Sequence, residues 1–427
     1  MKRICILNIA GLSPRVLADA PDDPFGELVV GPLAMKPTNP ALRASVQASM
    51  TTGQPPGRHG VLGGGLFRRQ AHTVGLDERS NTLLAEKRFW HDRSLEPRPN
   101  SALVFWTHPL AGGADLVLGA ATYGCRCGKV ASTPVGLYEE VVDAVGELDL
   151  STLQGPGASW RSAEWIAAAA GEVWQARTPD LMCVNLPGVD FELIRHGLGA
   201  DQVQLALRQV ARSARTLIDR IKDTGGEVLL TSDGGYVNVS AVAHPNLRLK
   251  EAGLLVTKRT ECGEVIDLEA SRAFALVDHQ VAHLYCDEKD IDLAAAAVAS
   301  DEAVDQLVSR DEMFDVGLGH DRAGERIALA RPGAWMSYRW WTPDQETPAC
   351  ALFSDCGHKG GFDPCEFLPA EKGEGMDLDE SHVRASRGLV GEDHGDWCVL
   401  GSTVEIEHGT PPSAVDVAAI ARALLRS

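Results

Sequence analysis

Lys36-Pro-Thr-Asn-Pro-Ala-Leu-Arg43-Ala-Ser-Val-Gln-Ala-Ser-Met-Thr-Thr-Gly53-Gln-Pro-Pro-Gly-Arg-His59-Gly60 is the stretch on which the reading of this chain turns. Residues 41–51 carry a helical pattern, and Arg43 stands at its start. A guanidinium there opposes the positive end of the helix dipole, so an anionic partner is expected close by. Asp233 is the first candidate and Asp190 the next. Ser45, the nearest hydroxyl along the helix, is turned about 200° away from Arg43's face.

Outward from this segment, short apolar runs bounded by turn or polar residues read as buried strands at 4–9, 102–106, 181–186 and 228–231. Such runs suit parallel strands covered on both faces. Helical patterns at 41–51, 162–176 and 201–223 separate them, the last with Val203, Leu207, Val210 and Leu217 on one stripe. This alternation predicts a doubly wound, mostly parallel α/β sheet. Chemistry in such sheets gathers beyond the carboxyl ends of the strands, where Ala10, Asp190 and Asp233 fall.

Thr52-Gly53, Pro56 and His59-Gly60 fit the nucleophile-helix frame of a family, and the chain resembles the type I phosphodiesterase and nucleotide pyrophosphatase branch of the alkaline phosphatase superfamily. That resemblance implies an alkaline-phosphatase-like core, an inserted smaller α+β lobe and hydrolysis of a phosphate ester at two metal ions. It places Arg43 at the nucleophile, where a Thr or Ser is usual. Further matches are Asn246 to Leu255, Ser271 to Tyr285, His320 to Glu325, Ala334 to Tyr338 and Gly361 to Pro364, in order along nearly the whole chain.

The implied ligand set is altered. Ala10 stands at the first-strand Asp, Ile194 at the His four residues after Asp190, and Gly234 at the His after Asp233. Asp190, Asp233 and His394 remain as metal candidates, with His358 as the alternative to His394. Thr38, in Thr38-Asn39-Pro40, resembles the nucleophile tripeptide of phosphonoacetate-hydrolase-like members and is the alternative nucleophile. Asp278-His279 and His283 form a second polar cluster; on a regular strand the two His are about 13 Å apart, too far to share one metal. His279 is the substrate-contact candidate.

The expected division is a core over 1–239, an inserted lobe over 240–345, and core completion with rim loops and a C-terminal helix over 346–427. A formal net charge of −19 opposes binding to nucleic acid or anionic membranes. No segment approaches the ~20 apolar residues of a membrane span. Ten scattered cysteines do not form a disulfide framework, so a reduced cytoplasmic protein is expected. Cys125-Arg-Cys127 and the Cys350, Cys356, Cys365 group with His358 read as buried thiols ahead of zinc sites.

Three functions stay open at this level. One is a phosphodiesterase or pyrophosphatase-like hydrolase with an altered site holding one divalent metal, zinc or manganese. The second is a metal-free pseudoenzyme that binds a small phosphorylated or anionic ligand through Arg43. The third is different chemistry in the same cleft. A hydrolase of the usual kind needs a nucleophile able to form a covalent phosphoryl intermediate, which Arg cannot do.

Overall fold

The computed structural model describes all residues except 23, 27, 77, 94, 123–128, 262, 353–357 and 372–374, and the side chains of 31, 32 and 122. Its largest sheet has eight strands, in the spatial order Val30–Met35, Cys398–Ser402, Glu227–Thr231, Ile4–Ile9, Leu181–Leu186, Ser101–Val104, Leu116–Thr122 and Lys129–Thr133. The five strands from Glu227–Thr231 to Leu116–Thr122 run parallel, and antiparallel strands extend them at both sides.

The first strand shows why the central runs are almost wholly apolar. All six residues of Ile4–Ile9 are buried. Cys5, Leu7 and Ile9 face the helices Arg161–Arg177 and Asp201–Asp223, whereas Ile4 and Ile6 join Val46 and Met50 of the Arg43–Thr52 helix and Leu424 of the Val417–Arg426 helix. Successive side chains of a strand point to opposite faces, so helices on both faces favour apolar residues along the whole strand, with Asn8 the one polar exception. This is the doubly wound arrangement.

The strand predicted at 102–106 is shorter than its apolar run. It ends at Val104, because Phe105 turns into the left-handed region with φ 53°. Leu254 and Leu255 pack in a second core, and the strand that follows them spans Thr257–Thr260. The C-terminal helical segment starts with a single 3₁₀ turn, Ala414–Asp416, before the α-helix Val417–Arg426. The flanking strands Leu116–Thr122, Lys129–Thr133 and Cys398–Ser402 were not anticipated.

A second sheet of five strands has the order Val304–Ser309, Arg326–Ala330, Val281–Cys286, Ala273–Asp278 and Gly361–Phe362. It carries its own core, including Leu276, Leu284, Trp335 neighbours Ala334 and Met336, and Trp340. The short strand Gly361–Phe362 pairs with Ala273–Asp278 at the edge of this sheet. Among the described residues, no helix is long and apolar enough to cross a membrane.

Candidate functional site

The Arg43–Thr52 helix is buried along nearly its whole length although it is rich in Ser, Thr and Gln. Burial is tolerable because its side-chain polar groups, apart from the Ser45 hydroxyl, find partners among the described residues. Thr51 and Thr52 donate their hydroxyls to Gln47 and Ala48 carbonyls at 2.9 and 2.8 Å, and Ser49 meets His59 Nε2 at 2.8 Å. The helix ends on Gly53, with φ 68°, whose N–H closes the last turn on Ser49. Leu42 at the N-cap offers no side-chain acceptor. Arg43 therefore opens the helix beside unsatisfied N–H groups and needs an anion.

Two carboxylates meet that need. Arg43 Nε donates to Asp233 Oδ2 at 3.0 Å, and its Nη2 donates to Asp190 Oδ2. Asp233 lies just past the carboxyl end of the Glu227–Thr231 strand and is fully buried. Its Oδ2 also accepts from Asn8 Nδ2 at 3.3 Å and Gln47 Nε2 at 3.4 Å, and its Oδ1 accepts from Arg387 Nη1 at 3.3 Å. Asp190, in the first turn of the Val189–His196 helix, is 1% exposed, and its Oδ1 accepts from the Gly188 N–H at 2.7 Å.

Behind this pair lies a closed amide network. Asn185 Oδ1 accepts from Asn8 Nδ2 at 2.8 Å and Gln47 Nε2 at 2.9 Å, while Gln47 Oε1 accepts the Thr107 N–H at 3.1 Å. The turn after the first strand presses against Asp190: a Cβ on Gly11, whose φ is +79°, would stand 2.8 Å from the Asp190 backbone N and Cα.

A cavity of about 160 Å³ opens over this cluster. Arg43, Asp190 and Arg387 line it from the charged floor, Phe105, Phe191, Ile194 and Phe362 supply apolar wall, and Asp278 and His279 reach it from the lobe. Lys359 and Glu366, a buried ion pair, also lie on the wall. Burial pushes the Asp278 carboxyl up, against the N–H of Gly64 and the charges of Arg387 and Arg43. Burial, helped by the charges of Arg387 and Arg43, holds His279 well below the usual imidazole range, so its ring is neutral.

The sequence-derived residues fall into two groups. Arg43, Asp190, Asp233 and His279 come together around the cavity. His394 is exposed and stacks on Trp397 with ring centroids 3.9 Å apart, next to the Arg15–Asp393–Asp396 ion pairs. His358 is exposed. Thr38 is buried, and its hydroxyl has no hydrogen-bond partner among the described residues. Thr38 is also absent from the described cavity lining. His279 and His283 do not share a strand: His279 lies in the turn before Val281–Cys286, and His283 inside that strand. Cys125, Cys127 and Cys356 lie outside the described residues.

Asn8, Gln47, Asn185 and Arg387 escaped the sequence reading. Gln47 carried a usable signal, since it follows Arg43 by one helical turn and so shares its face. Arg387 carried none: it arrives from a rim loop 154 positions from Asp233.

The donor set bears on the family's metals. Zinc takes four N, O or S ligands in a tetrahedral site. Here the two carboxylates are committed to guanidinium, amide and backbone donors, and Ala10, Ile194 and Gly234 have no ligating side-chain atom. Among the described residues, no group of three or more His, Cys, Asp or Glu is placed to hold a metal ion. The residues present do not fit a zinc centre.

The Type I phosphodiesterase / nucleotide pyrophosphatase family profile matches residues 22–358. Among solved structures, murine ectonucleotide pyrophosphatase / phosphodiesterase 5 is similar at TM-score 0.63 and 12% identity, covering 100% of this chain and 95% of that one. An inactive variant of the same murine protein in complex with AMP gives TM-score 0.61 and 13% identity, with 100% and 95% coverage. Phosphonoacetate hydrolase from Sinorhizobium meliloti 1021 in complex with phosphonoformate gives TM-score 0.63 and 14% identity, with 100% and 96% coverage. These likenesses establish the alkaline-phosphatase-like fold. No curated protein matches the chain.

Proposed function

The chain belongs to the type I phosphodiesterase / nucleotide pyrophosphatase family, a family of phosphate ester hydrolases, and from that premise we propose that this member binds a small phosphorylated or related anionic ligand through Arg43 without the covalent two-metal hydrolysis of its superfamily. The observation that carries the proposal is the Arg43–Asp190–Asp233 ion-pair cluster at the head of the cavity.

Family members typically use zinc. In two-metal phosphoryl transfer the ions stabilise the attacking and leaving oxygens together. Arg43 sits instead between the two carboxylates that the family would give to metals, and its charge offsets their mutual repulsion. A guanidinium has no lone pair with which to attack phosphorus. It is well suited to recognise an oxyanion, because its planar fork matches phosphate oxygens. Arg43 has a quarter of its side chain exposed, with Arg387 beside it and His279 on the same cavity.

Family membership favours a second reading, a hydrolase with one zinc or manganese held by Asp190, Asp233 and His394, or by His358 in place of His394. That reading requires Arg43 to leave both carboxylates and an exposed His to reach the cavity. The net charge of −19 supports a small-molecule ligand over nucleic acid or a membrane surface. We propose a cytoplasmic setting as well, which the free thiols Cys5, Cys183, Cys286, Cys350, Cys365 and Cys398 support.

The test is calorimetric titration with inorganic phosphate and with AMP, beside release of p-nitrophenol from bis(p-nitrophenyl) phosphate in the presence of zinc or manganese. Binding weakened about tenfold or more in Arg43→Gln, without turnover, is the expected result. Metal-dependent turnover would establish the hydrolase reading, and absence of binding by both anions would remove the ligand reading.

A further inference from the structure

Asp278 and His279 are adjacent in the chain yet line the same cavity. Neighbouring residues of an extended strand point to opposite faces. The arrangement is possible because the Ala273–Asp278 strand ends at Asp278, and His279 and Gln280 form a two-residue turn into Val281–Cys286. His279 has φ 57°, in the left-handed region where hairpin turns of this length usually place glycine.

The turn is held from several sides. The His279 carbonyl accepts the Met336 N–H at 2.7 Å, and the Gln280 N–H donates to the Arg387 carbonyl at 3.0 Å. Gln280 Nε2 donates to the Ala334 carbonyl at 2.9 Å, and Ser386 Oγ lies 3.3 Å from His279 Nδ1. A strained non-glycine residue that its surroundings over-determine in this way, on a cavity wall, points to a role for its side chain.

Space has been cleared for Asp278 as well. Its Oδ2 accepts the Gly64 N–H at 2.7 Å. A Cβ on Gly63 or Gly64 would lie 3.1 or 3.3 Å from that oxygen, so two consecutive glycines let the backbone approach the carboxyl. Asp278 has no ion-pair partner among the described residues. An apolar ligand group placed against it would leave a desolvated carboxyl unsatisfied. A second anionic group would meet an acidic side chain. A hydroxyl, which both donates and accepts, satisfies it.

We infer that the cleft selects a hydroxylated phosphate, of the sugar or polyol phosphate class, with Asp278 as the specificity-determining residue that hydrogen-bonds a ligand hydroxyl and His279 beside it. The inference rests on the anion-binding reading above and names the ligand class of that same site. Phe105 and Phe362 offer apolar surface to the carbon side of such a ligand.

Glucose 6-phosphate and cyclohexylmethyl phosphate, which share a phosphate and a six-membered ring but differ in hydroxyls, are the probes for calorimetric titration. Wild-type protein is expected to prefer glucose 6-phosphate by about tenfold or more, since a polar site loses affinity for an analogue that leaves its groups unpaired. Asp278→Ala should abolish the preference, weakening glucose 6-phosphate and relieving the penalty on cyclohexylmethyl phosphate, and Asp278→Asn, which can still bond a hydroxyl, should keep most of it. Equal affinities in wild type, or a preference surviving in a folded Asp278→Ala, would overturn the inference. Binding of neither probe nor inorganic phosphate would instead overturn the anion-binding reading, and this inference with it.

Discussion

Arg43 Nε and Asp233 Oδ2, from residues 190 positions apart, meet at 3.0 Å at the carboxyl edge of the main sheet. Asp233 then has a hydrogen-bond donor at each of four directions: Arg43, Asn8 and Gln47 on one oxygen and Arg387 on the other. A carboxylate offers about four lone-pair positions. A metal ion at Asp233 Oδ2 would have to displace one of these donors.

Removal of the guanidinium should therefore be costly. Arg43→Met leaves two buried carboxylates without their shared cation, and breaking a buried pair from one side costs about 3–5 kcal/mol. Urea denaturation should register that loss. Adding Asp233→Asn to Arg43→Met should recover part of it, because the pair is coupled. Additive losses would show that Arg43 does not stabilise Asp233.

Replacing the cation with a ligand should raise metal uptake. In Arg43→Thr the carboxylates regain lone pairs and the helix N-terminus gains a hydroxyl. Elemental mass spectrometry after equilibration with zinc or manganese should find more bound metal than in wild type. Equal content in both proteins would sink the idea that Arg43 replaces a metal's charge.

Gly11→Ala should disturb Asp190. The new Cβ would sit 2.8 Å from the Asp190 backbone at a residue with φ +79°. Strain of this kind costs on the order of 1–3 kcal/mol. A lower melting temperature, together with weaker phosphate binding, is expected. An unchanged melting temperature would mean that the turn relaxes freely.

Stability should fall as the solution is acidified below pH 6.5. Burial lowers His59 to about 3, helped by the charges of His320 and Arg88. It lowers His108 to about 3, helped by Arg88 and Arg79, and His283 to about 4. Above 6.5 each is neutral in both states and contributes no pH dependence. Below it the unfolded chain takes up protons that the folded one excludes, at about 1.4 kcal/mol per pH unit for each His. Asp278, raised by burial, acts with the opposite sign, since there the folded chain holds the extra proton. Denaturation between pH 7.5 and 5 should show the decline, and His59→Gln should flatten it. A slope unaltered by that substitution would assign the acid sensitivity elsewhere.

Much of the central layer was legible because its signals are local. The runs at Ile4–Ile9 and Leu181–Leu186 are apolar at every position but one, Asn8 and Asn185 respectively, and the Asp201–Asp223 helix repeats its apolar stripe over six turns. The flanking strands were harder. Leu116–Thr122 contains Gly and Ala, and Cys398–Ser402 follows a long acidic loop, so neither stands out from its surroundings. The end of the Ser101–Val104 strand was missed because Phe105 takes a left-handed conformation that a strand-forming aromatic residue does not announce.

At the cleft, the expectation of an acidic partner for Arg43 came from the sequence alone, through the sign of a helix dipole and the positions of Asp190 and Asp233 after strands. Tertiary structure decided what those carboxylates do with their remaining lone pairs. Asn8, Gln47 and Arg387 reach Asp233 from a strand, a helix and a rim loop, and Asn185, on a second strand, holds the first two in place. It also decided that Asp278 and His279 face one cavity, through a left-handed turn held by Met336 and Ser386. Strand and helix patterns repeat over two to four residues and can be read along the chain. Hydrogen bonds between side chains more than 100 positions apart depend on where the folded backbone brings them.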